Sequence, residues 1–149
     1  MPDIQFKYQF DYKKDESTNT ETVVYLSSPK HRQVGNPHKS IWIIIPDEEF
    51  GCFKYTYENE WVVENEAWGF LLDSNDKFVL LGLGLNNEEL KIAKFKKDPN
   101  TTEWHGYPCN YMANTYDVPA DSVLKKWVDL HRITKAKMSK IQQTLSCNL

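Results

Sequence analysis

The chain carries four histidines and three cysteines, the side chains most often used to hold metals or to act as bases and nucleophiles. Their spacing argues against a compact local centre. His31, His38, His105 and His131 include no pair at the H-x-x-x-H interval, and Cys52, Cys109 and Cys147 include no C-x-x-C, the intervals that set two ligands on one side of a metal. There is no Gly-x-Ser-x-Gly elbow and no phosphate-cradling glycine loop, so neither a serine hydrolase nor a nucleotide-binding loop is indicated. His105 precedes Cys109 by four residues. A thiolate–imidazole pair needs contact in space, however, and Pro108 beside the cysteine implies an extended chain. The expected role of Cys109 is a small buried residue. No cofactor and no metal are expected.

Pro46-Asp47 and Glu89-Leu90-Lys91 resemble, in residue type and order, the paired acidic motif of metal-dependent nucleases. There two carboxylates hold Mg²⁺ beside a lysine. Here the acids stand 42 residues apart. The competing reading is a strand-ending turn and a solvated charge pair. An enzyme of this kind would assemble a non-local site from His31, His38, His105, Glu89 and Lys91.

The elements that must position these groups follow from hydrophobic rhythm. Residues 4–12 alternate strictly, with Ile4, Phe6, Tyr8, Phe10 and Tyr12 on one side, which predicts a half-buried strand. Residues 13–21 are polar and predict a loop. Residues 22–26 are β-branched and aromatic and predict a second strand. A long loop over 27–40 holds two prolines and a glycine among scattered cations. The wholly apolar run 41–45 predicts a strand covered on both faces, ended by Pro46. Further strands are expected at 53–57, 60–63, 67–72 and 78–85, with a hairpin at 73–76, where Asp and Asn side chains bond their own backbone. Gly82 and Gly84 share a face and imply a close neighbour there. Residues 87–96 fit a helix or a strand, and the strand is preferred for its short length. A turn follows at 98–101.

Beyond Pro119 the period changes. Val123, Leu124, Trp127, Val128 and Leu130 form one helical face. Thr134 is a good N-cap for a second helix, with Ile133 placed to staple Met138 and a buried stripe of Met138, Ile141 and Leu145. The expected class is therefore α+β. An antiparallel or mixed sheet over residues 4–98 precedes a helical pair at 119–145, in a single domain spanning 1–149.

Charge and aromatic content give the functional expectations. Net charge is −3, yet residues 121–149 hold six basic groups (Lys125, Lys126, Arg132, Lys135, Lys137, Lys140) against Asp121 and Asp129, so a +4 tail follows a −7 body. The tail, joined by Lys30, His31, Arg32, His38 and Lys39 of the long loop, suggests a phosphate-backbone patch. A −7 body would repel nucleic acid elsewhere. On the acidic side, Asp47, Glu48, Glu49, Glu58, Glu60, Glu64 and Glu66 flank Trp61 and Trp68, and such a face would suit a basic partner. Aromatics reach 13 %, and the segment Trp104-His105-Gly106-Tyr107-Pro108-Cys109-Asn110-Tyr111 is the densest. As a rigid aromatic loop it would make a binding surface. Alternatively, Trp104 and Tyr107 plug the gap between sheet and helices. The expected binding residues are Trp104, His105, Tyr107, Tyr111, His31, Arg32 and His38.

The leading expectation is a small non-enzymatic domain that binds another protein, in the manner of bacterial immunity or antitoxin proteins. The enzyme and nucleic-acid readings stand as alternatives. The start of the chain has no apolar signal segment, no apolar run is long enough to span a bilayer, and Cys147 is third from the end rather than in a prenylation box. Asn100-Thr101-Thr102 reads as an exposed loop. A cytoplasmic location without membrane contact is expected.

Overall fold

The computed structural model describes residues 5–32 and 39–149. Strands β1 (Phe6–Tyr12) and β2 (Glu21–Ser27) form an antiparallel hairpin. The strand readings of both segments hold, and β1 shows the expected period of two. Tyr8, Phe10 and Tyr12 are half-buried on one face, and Lys7, Gln9 and Asp11 are exposed on the other. Ile4 lies outside the described residues.

Pro46, expected to end a strand, and residues 53–57, expected as a further strand, lie instead in helix α1 (Pro46–Glu58). Proline starts this helix, because its missing N–H is unneeded in the first turn. Asp47, Glu48 and Glu49 complement the N-terminal dipole, and the Glu48 carboxylate accepts the Ile45 N–H at 3.1 Å. Cys52, Phe53 and Thr56 face the sheet. The preceding run is not covered on both sides. Only Ile41–Trp42 (β3) is a strand, and burial alternates, with Trp42 and Ile44 buried and Ile43 and Ile45 exposed.

The hairpin of β4 (Val62–Val63) and β5 (Glu66–Gly69) comes next, followed by a turn in which Asp73 accepts the N–H groups of Asn75 and Lys77 at 2.8 and 3.0 Å. Short strands β6 (Gly82–Leu83) and β7 (Glu89–Leu90) join β3 in a three-stranded sheet. A Cβ on Gly82 would collide with the Ile41 carbonyl and Pro108, which identifies the close neighbour expected on that face. Within 87–96 the preferred strand reading holds for Glu89–Leu90 (β7) and from Ile92 onward in β8 (Ile92–Lys97), but Asn87 and Glu88 lie in the preceding turn. The aromatic segment is not a loop. It is strand β9 (Glu103–Cys109), so the main sheet extends past residue 98 to 109.

The main sheet has the order β1-β2-β9-β8-β5-β4, with β2 and β9 parallel and the other pairs antiparallel. The class is α+β, with a mixed sheet and short C-terminal helices α2 (Asp121–Asp129) and α3 (Lys135–Gln142). Thr134 caps α3, accepting from the Lys137 N–H at 3.1 Å. Ile141 is buried, but Leu145 lies past the helix end and is exposed, so the expected stripe stops short of it. On α2, Leu130 is likewise exposed.

Two cores result. One lies between α1 and the sheet and contains Tyr25, Phe53, Phe95 and Trp104. The other lies under α2 and α3 and contains Trp61, Trp68, Phe70, Cys109 and Trp127. Trp61 and Trp68 are therefore core residues, and the acids near them do not form a tryptophan-bearing surface. No helix among the described residues is long and apolar enough to cross a membrane.

Candidate functional site

The helical pair covers only part of the sheet's second face. Where it stops, β9 and β8 present His105 beside Lys96 and Tyr107 beside Lys94, as directly opposed cross-strand neighbours. This open stretch floors a cleft of about 620 Å³. His31 forms one wall. It ends the 3-10 turn Pro29–His31, which Ser28 caps by accepting the Lys30 N–H at 3.2 Å. Its ring stacks on Tyr107 with centroids 5.3 Å apart and planes 16° apart. Its Nδ1 lies 3.0 Å from the Ser40 carbonyl. A carbonyl only accepts, so Nδ1 carries the hydrogen, and in the neutral ring Nε2 is left as the acceptor. Ser40 is held in turn by its hydroxyl, which donates to the Pro108 carbonyl at 2.6 Å.

The opposite wall comes from the turn after β6 and the segment after β9. Glu88 accepts the Asn86 N–H at 2.7 Å and the Asn110 side-chain amide at 3.0 Å. Asp117 is buried and accepts the Tyr107 hydroxyl at 2.6 Å, the Asn110 N–H at 3.4 Å and the Asn114 amide at 3.4 Å. Both carboxylates inside the cleft are thus occupied by internal donors. Buried Lys94 pairs with Glu66 at 2.8 Å, donates to the Tyr116 carbonyl and lies 5.5 Å from the Tyr116 ring centroid. Tyr116 itself is 63 % exposed and, with Leu85 at 57 %, makes an apolar rim.

The cleft holds charge of both signs, because the donors to Glu88 and Asp117 are neutral and leave those carboxylates their charge. Lys39 and Lys96 line it and form no ion pair among the described residues. A neighbouring cleft of about 380 Å³ shares His31, Lys39 and His105 and adds Lys30. Lost hydration, then the charges of Lys39, His105 and Lys30, holds the His31 imidazole below its ordinary value of 6.5, although its bond to Ser40 opposes this. Lost hydration, then Lys96, does the same for His105. An anion placed among these groups reverses the charge part of both effects.

The expected binding residues separate accordingly. His31, His105 and Tyr107 meet in the cleft. Trp104 points to the other face of β9 and is buried against Phe53 and Tyr57, with ring centroids 5.5 and 5.9 Å away, so it offers no surface. It plugs the core under α1 rather than a gap beside the helical pair. Tyr111 is buried under the C-terminal segment, its hydroxyl donating to the Leu145 carbonyl at 2.9 Å. Arg32 is not a free cation. It turns inward to fully buried Glu49 at 2.6 Å, which also accepts from Ser27 at 2.8 Å and from Tyr25. His38 lies outside the described residues.

The residues of the nuclease-like pattern do not assemble. Asp47 accepts the Tyr8 hydroxyl at 2.6 Å at the start of α1. Glu89 and Lys91 line a different cleft beside Cys109, Cys147 and the chain end, where Lys91 donates to the Leu149 carbonyl at 3.0 Å. No group of three or more potential metal-ligating side chains occurs among the described residues. His105 and Cys109 sit on the same face of one strand, roughly 13 Å apart along it, which excludes a dyad. Burial also pushes the Cys109 thiol well above its ordinary value.

Lys96, Tyr116, Leu85, Asn110, Asn114 and Asp117 belong to the site and were not singled out from sequence. Only Lys96 had a signal, through its place in the alternation Ile92, Lys94, Lys96 on one strand face. No known protein family, curated protein or solved structure matches the chain.

Proposed function

We propose that this chain is a non-enzymatic binding domain that takes an acidic segment of a partner protein into the cleft between His31, His105 and Tyr116. One observation carries the reading. Lys39 and Lys96 line the cleft without an ion pair among the described residues, while Glu88 and Asp117 are each held by internal hydrogen-bond donors. A carboxylate side chain entering there meets Lys39, Lys96 and two imidazoles that gain affinity for protons as it arrives. The exposed faces of Tyr116 and Leu85 suit an apolar residue next to that acid. The mode is that of a small protein acting by occupying its partner, as immunity and antitoxin proteins do, and the comparison is one of mode alone.

Peptide selection on the folded protein tests this. Selected sequences are expected to be rich in Asp and Glu beside an aromatic or leucine. The double variant Lys39→Glu/Lys96→Glu is expected to weaken them by about tenfold or more, since close charge pairs at interfaces contribute about 1.5 kcal/mol upward. Selection of non-acidic peptides, or unchanged affinity in the double variant, counts against the proposal.

A further inference from the structure

A second surface is independent of the cleft. Strand β1 ends the main sheet, and among the described residues no strand pairs with its outer edge. At seven residues it is as long as any strand here, and its sequence is FKYQFDY. An edge of that length is a template for another strand unless something blocks it. The sheet's other edge is the two-residue β4, which offers no such template.

We infer that β1 is a homodimer edge on which two copies of this chain pair antiparallel about Gln9. The order of side chains is self-complementary in that register. Phe6 meets Tyr12, Lys7 meets Asp11, and Tyr8 meets Phe10 of the second copy, each pair occurring twice about the two-fold axis, with Gln9 opposite Gln9. Directly opposed residues in an antiparallel pair point to the same face with Cβ atoms about 5 Å apart. The outer face therefore gains two Lys7–Asp11 ion pairs, and the face toward α1 gains aromatic pairs.

Within one copy these charges cannot meet. Lys7 and Asp11 lie on the same strand face roughly 13 Å apart. Lys7 forms no ion pair among the described residues, and Asp11 only accepts the Thr22 hydroxyl, at 3.1 Å. Registers two residues away replace both ion pairs with Lys–Gln or Gln–Asp contacts and shorten the overlap. A one-residue slip sets aromatic side chains against polar ones. The unsatisfied apolar surface also lies here. Phe6 is 45 % exposed, and Tyr8, Phe10 and Tyr12 are only half-covered by Phe50, Phe53 and Tyr57 of α1. Pairing would run the six strands of each copy together as one continuous sheet.

Sedimentation of the full chain between about 10 and 200 µM tests this, because an edge pairing of this size belongs to the micromolar range of small interfaces. Wild type is expected to dimerise in that range. Lys7→Asp and Asp11→Lys, each placing like charges opposite one another, are expected to raise the dissociation constant at least tenfold, with circular dichroism unchanged. The combined Lys7→Asp/Asp11→Lys chain restores opposite charges in every pair and is expected to dimerise again. A monomeric wild type, a dimer that neither single change weakens, or a double variant that stays monomeric overturns the inference.

Discussion

His31 shows how a single side chain links the loop to the sheet. Its Nδ1–H holds the Ser40 carbonyl, and its ring lies flat on Tyr107. Its folded pKa is lowered, chiefly by lost hydration. The unfolded ring titrates near 6.5, so between that value and the lower folded one the unfolded chain holds the extra proton. The contribution to stability is then full above 6.5 and is lost as pH falls through the folded value. The variant His31→Asn keeps a donor for Ser40 and removes the titration. Urea midpoints at about pH 7.5 and pH 5.5 should therefore fall less on acidification in the variant than in wild type. An equal fall in both would place the imidazole in a water-like setting.

His31, His105 and Tyr107 were legible as unusual residues. The inward turn of Arg32 was not, because a surface cation and one paired with a buried carboxylate read alike until Glu49 is known to face the core. Glu49 was hidden for the same reason, as an acid among acids.

Among the elements, β1 was legible from its alternation and β2 from its β-branched and aromatic composition, both close to their observed bounds, whereas the strand preferred over 87–96 begins as β8 only at Ile92. Helix α1 was missed although its signals were present. Pro46 followed by three acids is a helix start, and Phe50, Phe53 and Tyr57 recur at helical spacing. The aromatic, β-prone composition of 50–57 outweighed them. Tertiary packing decided the matter, since the helix buries Cys52, Phe53 and Thr56 on the sheet. Two alanine substitutions probe that packing. At Gly69 a Cβ would overlap the Thr56 side chain where α1 crosses β5. Gly69→Ala should cost about 1–3 kcal/mol as strain from overpacking. Gly51, inside α1, has nothing within 4 Å of an added Cβ, and Gly51→Ala should stabilise by about 0.5–1 kcal/mol through helix propensity. Denaturant midpoints read both. Equal effects at the two positions would contradict the packing of α1 on β5.

For the whole molecule, the class and the C-terminal helical pair followed from the change of rhythm after Pro119, but the cleft did not. It gathers residues from the loop before β3, the turn after β6, strand β8 and the segment from β9 to Asp117. They meet because β9 inserts between β2 and β8, and the parallel β2–β9 contact joins strands nearly eighty residues apart, as in Val24 opposite Glu103. No local period reports such a pairing. The charge map also reads differently in three dimensions. Lys126 of the basic tail donates to the Glu60 carbonyl at 2.8 Å, and the clefts lined by Lys126 or by Arg132, Lys135 and Lys137 do not include Lys30, His31, Arg32 or Lys39.

The cleft as a site for an acidic partner is tested most directly by amide chemical shifts during titration with a short Asp/Glu-rich peptide containing one aromatic residue. Shifts concentrated at His31, Ser40, Lys96, His105 and Tyr116, weakening as salt screens the charges, are the expected result. Shifts confined to the lysines of α2 and α3, or none at millimolar peptide, would contradict it.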